Sequence, residues 1–508
     1  MNEIIDQRAI ELMPAVRLAF PAVISPASPN LANEKQRLSK GQRAALILLL
    51  LGFIAFGCLV EMRSAFMQRR MCDLDVYLRG AWAVRTSNDL YNITDDNHWH
   101  YNYPPFLAIA LVPLADPPPG ADRTGMIPFA VTVALWYLFS LACLAIAVHW
   151  LVGALEARWQ LPANRRRWWA LRMFPVLACL VPVGHTLMRG QVNMIVLLLF
   201  CGMAAGMLKG QGLGSGLCLA GAICIKLFPA FLLIFPLWQR NWRCLAGCAL
   251  GLFVGIVVIP LAVFGPAKTL ALYQQYTEVL IRPALGTGSD TSRAHELTSG
   301  GAADSQSFQA MLRNSLNRDL ATRPRQPAGW ILGVNYVLGG LLTWLTLWAG
   351  RRKASNVVLP LGALILLMLF ISPVCHLHYF VFSLPLVIAL IFQDFQAHNR
   401  IGWRLKLILV VNLMTSIVPN LPWFVFWREV GLATYGAMLL WMVAIVRLWK
   451  KTSTMDWKKV PHVWPRLTQF PQVNQRRPKK IEILQAEGVS DRSLTPEYSQ
   501  AAYAPGSP

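Results

Sequence analysis

From residue 44 to residue 446 the chain repeats one pattern, an apolar run followed by a short polar break. Runs near 20 residues mark helices that cross a bilayer. Taken in order, the apolar segments are 44–60, 126–155, 170–187, 194–208, 213–238, 244–264, 328–349, 357–371, 380–392, 407–418 and 431–446. Segment 213–238 is interrupted by Lys226 and Pro229, and both of its flanks are basic (Lys209; Arg240 and Arg243). An even number of crossings is therefore needed, which predicts two short helices meeting near Lys226. Segment 104–115 is apolar but too short to span, and fits an interfacial or re-entrant helix.

Charge sets the orientation. Basic residues gather at Arg165–Arg167, Arg351–Lys353, around Arg400, Arg404 and Lys406, and at Arg447, Lys450 and Lys451. Lysine and arginine collect in cytoplasmic loops, so these breaks are read as inside. The count is about twelve crossings with both termini cytoplasmic. The expected architecture is an all-α polytopic membrane protein with large outer loops. Its domains are an N-terminal tail (1–43), a membrane domain (44–450) and a basic, Pro-rich, largely disordered C-terminal tail (451–508).

Composition agrees with this class. Of 508 residues, 55% are hydrophobic and only 14% charged, against about 25% charged in soluble domains. A net charge of +22 would fit a nucleic-acid partner in a soluble chain, but here the cytoplasmic loops and tails account for it. Most of the ten cysteines lie inside apolar runs without a C-x-x-C pair. They read as core packing rather than as metal ligands or disulfides, and no metal or other cofactor is expected.

Five polar features interrupt the apolar pattern, and span counting puts all of them on the outer side. The first is the stretch 72–105, with Asp73 and Asp75 in D-L-D, Tyr77, Tyr101 and Tyr103. The others are R-G-Q-V-N (Arg189, Gln191, Asn193), Lys226, Ser305-Gln306, and His376 with His378. Alternation places Asp73 and Asp75 on one side of an extended segment. Taken singly, each feature has a bland reading: a solvated acid pair, a snorkelling lysine, amides that satisfy helix ends, a structural histidine. Their shared side argues for one site, and a lone cation between A-I-C-I and L-F-P-A is by default functional.

The order of these motifs resembles glycosyltransferase family 87. D-L-x-V-Y (Asp73–Tyr77), L-Y (Leu90-Tyr91) and Y-x-Y-P-P-F (Tyr101–Phe106) are followed by G-Q-V-N, I-K-L-F-P (Ile225–Pro229), S-Q-S-F (Ser305–Phe308) and S-P ahead of His378. The resemblance spans roughly residues 44–450. Two departures stand out: Ser305 replaces the family's usual Asn, and His376 and Tyr379 replace the Trp and second His of S-P-x-x-W-x-H-H. The resemblance implies a GT-C fold in the inner (plasma) membrane. It implies transfer of a hexose, mannose first, from a polyprenyl-phosphate sugar to a lipid or glycan acceptor, with inversion at the outer face. Asp73 would be the base. Lys226 and Arg189 would offset the donor phosphate, with Gln191, Asn193, His378, Gln306, Tyr77, Tyr103 and Asp75 around the substrates. Because no nucleotide diphosphate leaves, a metal is not demanded. The rival readings are a secondary transporter, for which a broken helix and an intramembrane charge are also suited, and a flippase or ligase for lipid-linked glycans.

Overall fold

The computed structural model describes residues 39–67, 70–161, 164–282, 305–319, 322–324, 327–351 and 357–450. Nearly all of tail 1–43, all of tail 451–508 and part of the second large polar loop lie outside the described residues. Among the described residues the fold is helical, with no strand beyond one isolated bridge between Thr94 and His100.

Six helical stretches are long and apolar enough to cross a membrane. The first is α1 (Lys40–Glu61), continued by a π turn to Phe66, and the second is α4 (Phe129–Arg158). The third joins α10 (Trp242–Leu252), a π turn and α11 (Ile259–Phe264). The others are α14 (Gly329–Arg351), α16 (Leu384–His398) with its leading 3-10 turns from Leu377, and α19 (Leu432–Trp449). Two bent pairs raise the number to eight if each is one span. One is α5 (Arg165–Ala178) with α6 (Leu180–Arg189), bent by 63°. The other bends by 95° between Trp403–Asn420, whose helix α17 is Trp403–Ile417, and Pro422–Glu429, which ends in α18 (Val425–Glu429).

The expected twelve crossings counted shorter elements as well. α7 (Asn193–Leu208), α8 (Gly212–Ile225) and α15 (Val358–Ile371) have 14 to 16 residues. At about 1.5 Å per residue they fall short of a hydrocarbon core of ~30 Å. α8 ends at Ile225, Lys226 is extended, and 3-10 turns from Phe228 lead into α9 (Ile234–Trp238). This is the break predicted at Lys226: Pro229 cannot continue the α8 ladder.

These short helices form the buried centre. Every residue of α15 except Ile371 is buried, as is most of α7. α1 is the opposite case, with Leu48, Leu50, Leu51 and Ile54 more than half exposed. It is capped by Ser39, whose hydroxyl accepts from the Gln42 amide while the Gln42 side chain accepts from the Ser39 amide. α8 and α10 lie in close contact because both present glycine: a Cβ on Gly216 would run into the Cys244 carbonyl, and one on Gly247 into that of Leu213.

The D-L-D segment is not extended. It opens α2 (Cys72–Arg85), and the physical reason is periodicity: Leu74, Tyr77, Leu78 and Ala81 follow helical spacing and all are fully buried. Asp73 and Asp75 then sit in the first turn, where the helix dipole favours acids. Two residues apart on a helix, they point to different sides. After α2, the short helix α3 (Pro105–Ala110) and a 3-10 turn to Leu114 occupy the apolar segment expected to be interfacial or re-entrant.

α2 packs against the turn between α6 and α7. Gly190 adopts φ 69° there, and a Cβ would lie 2.6 Å from the Leu74 Cβ and 3.0 Å from the Met71 sulfur. Trp136 of α4 closes the turn from the other side, its Nε1–H donating to the Gly190 carbonyl at 2.9 Å. Gly190→Ala meets a backbone penalty and a clash together. It is expected to lower stability by about 1–3 kcal/mol, read as a fall in Tm in detergent micelles. An unaltered Tm would mean that α2 does not depend on this approach.

Candidate active site

The residues predicted to form a site come from five separate stretches, and most of them meet. At the first turn of α2, the Asp73 carboxylate pairs with Arg189 Nε at the end of α6, at 2.7 Å. Both side chains remain partly exposed, Asp73 at 19% and Arg189 at 39%. Gln191 and Asn193 follow the Gly190 turn and are buried. Their side-chain oxygens both accept from Lys226 Nζ, at 2.9 and 2.8 Å. Gln191 Oε1 also accepts from the Tyr77 hydroxyl at 2.9 Å, and that hydroxyl lies 3.0 Å from the hydroxyl of Tyr103. Burial raises the pKa of both phenols, so they are neutral hydrogen-bonding groups at physiological pH.

Lys226 is 3% exposed. A buried ammonium is tolerated only with acceptors and counter-charge around it. The α8 break supplies the room, and the Gly190 turn supplies two amide oxygens. Aromatic faces supply the rest, with Nζ 4.5 Å from the Tyr379 ring centroid and 5.4 Å from that of Tyr103. Asp73, Arg189 and Lys226 are close enough for their charges to interact.

The S-P-V-C-H-L-H-Y segment closes the opposite side. Its His378 carbonyl accepts from the Asn193 amide at 3.3 Å and from the Thr186 hydroxyl at 3.2 Å. The His378 ring is 2% exposed and packs edge-on against Tyr379, with centroids 4.5 Å apart. Its Nε2 is buried and has no hydrogen-bond partner among the described residues. A buried polar nitrogen left in this way carries a desolvation cost, and it is the group in the cluster best suited to receive a ligand.

Two predicted residues make their contacts elsewhere. Gln306 donates from its backbone to the Cys375 carbonyl at 2.5 Å and from its side chain to the Arg428 carbonyl at 2.7 Å. With Ser305, whose hydroxyl accepts from the Cys375 amide at 3.2 Å, it secures the S-Q-S-F segment and α13 (Phe308–Leu316) to the loop that carries His378. A small pocket lined by Ser305, Gln309, Arg313 and Pro373 lies beside this junction. Asp75 lies fully buried on another side of α2 from Asp73, in a cluster with Arg70, Arg79, Asp96 and Asp116.

Sequence reading missed Thr186 and Arg70. Thr186 lies inside an apolar run, where a hydroxyl commonly bonds its own helix. Arg70 precedes α2 as one basic residue among several, and its acidic partners are scattered between Asp75 and Asp116. No local spacing announces either contact. Among the described residues, no group of three or more His, Cys, Asp or Glu is placed to hold a metal ion.

Comparison with known proteins follows the same stretches. The sequence model of Glycosyltransferase family 87 matches residues 101–373. A polyprenol-phosphate-mannose-dependent alpha-(1-2)-phosphatidylinositol pentamannoside mannosyltransferase from Mycolicibacterium smegmatis is 26% identical over 432 residues, 81% of this chain and 93% of that protein. The protein of the same description from Mycobacterium tuberculosis is 26% identical over 428 residues, 80% of this chain and 88% of that one. A polyprenol-phosphate-mannose-dependent alpha-(1-2)-phosphatidylinositol mannoside mannosyltransferase from M. tuberculosis is 26% identical over 404 residues, 74% and 83% of the two chains.

The Lys226 cage makes a stability prediction. Gln191→Leu leaves the ammonium with one amide acceptor and the Tyr77 hydroxyl with only that of Tyr103. It should cost about 1–3 kcal/mol and lower Tm measurably. If Gln191→Leu is as stable as the parent, the amide is not what supports the buried charge.

Proposed function

The chain belongs to glycosyltransferase family 87, and on that premise we propose that it moves mannose from a polyprenyl-phosphate donor to an anionic membrane glycolipid, inverting at the anomeric carbon. The relatives' names supply the donor class and the acceptor class. The observation that carries the reading is the placement of Asp73. It is a partly exposed carboxylate, aimed by Arg189, at the edge of a cluster that buries a cation.

In this reading the acceptor hydroxyl attacks the anomeric carbon from the side opposite the phosphate. The new C–O bond forms, the old bond to phosphate oxygen breaks, and the polyprenyl phosphate leaves with the electron pair. Asp73 takes the hydroxyl proton late, as that oxygen becomes acidic. Lys226 and Arg189 offset the charge that builds on the departing phosphate, the lysine in surroundings where water is scarce. The buried Nε2 of His378 is available as a further hydrogen-bonding group for the same phosphate. A phosphate near Arg189 competes with Asp73 for the guanidinium, so donor binding itself would release the carboxylate to act as base. Tyr77 and Tyr103 hold Gln191 in line, and the partly exposed Tyr103 presents its ring to the sugar.

The fold proposed is of the GT-C type. The short helices α7, α8 and α15 complete crossings together with the 3-10 segments that extend or follow them. The membrane is the plasma (inner) membrane, with α2 on its outer side.

Two outcomes test the reading. Asp73→Asn keeps the shape and loses the acceptor for the proton. It should reduce transfer from polyprenyl-phosphomannose by about 10²–10⁴-fold, with folding intact; near-parental turnover would exclude the base role. Lys226→Ala should raise the donor KM and lower kcat, and an unchanged donor KM with full turnover would remove the lysine from the phosphate site. Orientation is checked separately. A cysteine introduced for Asp73 should react with an impermeant maleimide applied from the outer side, and reaction from the cytoplasmic side alone would invert the topology.

A further inference from the structure

An ion cluster lies behind α2. Arg70 stands at its centre. Its guanidinium reaches Asp75 at 2.9 Å and Asp96 at 2.8 Å, contacts Asp116, and lies 3.9 Å over the ring of Phe129. One residue thus joins the approach to α2, the first turn of α2, the 94–99 turn, the segment after α3 and the start of α4. Arg79, one turn further along α2 and 3% exposed, adds a bond to Asp96 at 2.7 Å and another to the Thr94 carbonyl at 3.3 Å. Asp75 receives the Asp96 amide at 3.2 Å. Asp95 faces the same cluster, and Arg123 approaches Asp116 at 3.7 Å from its exposed side.

Asp75 and Asp73 are fixed to the same turn of α2 but look into different surroundings. Asp73 meets Arg189 at the site; Asp75 meets Arg70 behind it. A rotation of the first turn that breaks one pair must carry the other carboxylate with it. We infer that Asp75 is a positioning residue: its ion pair with Arg70 sets the rotation of α2 and thereby the aim of Asp73 at the acceptor hydroxyl. This rests on Asp73 being the base, and it assigns Asp75 a role without contact to either substrate.

The energetics of the pair separate this role from a stabilising one. The Asp75–Arg70 contact is close, yet Asp75 Oδ1 lacks the alignment of a hydrogen bond. Burial, only partly opposed by the charge of Arg70, pushes the Asp75 carboxyl up to about 7. Burial pushes Asp95 up as well. Burial works the same way on Asp96, but the hydrogen bond from Arg79 and the charge of Arg70 outweigh it and hold that carboxyl below its ordinary value. The sign for Asp75 follows. A carboxyl raised above its unfolded value of about 4 contributes stability that is full below that value and lost as pH rises through about 7. The charged form, which pairs with Arg70, is therefore the less stabilised one. Removing the charge leaves Arg70 with Asp96 and Asp116 as partners.

Asp75→Asn tests the inference, measured with polyprenyl-phosphomannose and phosphatidylinositol mannoside in liposomes. At pH 8 the variant should keep or exceed the parent's Tm, yet lose about tenfold or more in kcat with both KM values within about twofold, as loss of an interaction felt only in the transition state predicts. The parent's kcat should climb as pH rises through about 7, and Asp75→Asn should lack that limb. Arg70→Lys, which keeps a cation beside Asp75, should retain the limb at reduced rate. A rise in either KM would make Asp75 a substrate contact and overturn the inference, as would a variant that fails to fold at pH 8 or a parental kcat and pH profile. An active Asp73→Asn beside a dead Asp75→Asn is a different failure: it would move the base itself to Asp75 and defeat the proposed function.

Discussion

The architecture around the site is governed by one requirement: an ammonium group held inside an apolar bundle must be given acceptors. Within an unbroken helix the ladder would occupy the carbonyls around Lys226, so its acceptors come from another segment. Pro229 forces the break, Lys226 becomes extended, and its Nζ reaches across to the amides that follow Gly190. Those amides are in reach because Gly190 takes a left-handed conformation and lets α2 approach within contact of the turn. The same approach delivers Asp73 to Arg189. The proline in one stretch, the glycine in a second and the acid in a third are thus consequences of placing a single charge.

Much of the fold was legible because bilayer helices are written in a strong code of length and hydropathy. The break at Lys226 was legible too, since an interior lysine beside proline has few other structural outcomes. The number of crossings was less so. α7, α8 and α15 are individually too short for a ~30 Å core, and hydropathy cannot tell a short span from a buried helix that stops inside the protein. α2 was misread as extended because Asp73 and Asp75 drew attention to a two-residue alternation. The buried positions Leu74, Tyr77, Leu78 and Ala81 carried the helical period in the same stretch.

The site divides in the same way. Arg189, Gln191, Asn193, Lys226 and His378 drew notice because each interrupts an apolar run, and Asp73 because it belongs to the D-L-D pair beyond the first span. Tyr77 and Tyr103 came from the motifs around Asp73 and are joined to the cluster through Gln191. Gln306 belongs to the scaffold that holds the His378 loop. Arg70 and its acids were invisible. Long-range ion pairs between loops leave no periodic trace, and a surplus basic residue in a membrane protein is ordinarily assigned to orientation.

Asp73 and Asp75 show how two identical side chains on one helical turn are given different work by what surrounds them. Asp73 keeps some contact with solvent and pairs with Arg189 at the edge of the Lys226 cluster, so its charge is available to a substrate. Asp75 is sealed from solvent among other acids, where each negative charge raises the cost of the next. Within that cluster Asp75 lacks the solvent contact that Asp73 keeps. The cluster is well suited to holding a helix in one rotation, because Arg70 can satisfy its acids together only in one geometry. A loop built only from apolar contacts would tolerate small rotations of α2 at little cost. The ionic cluster makes those rotations expensive at the turn that carries the carboxylate beside Lys226.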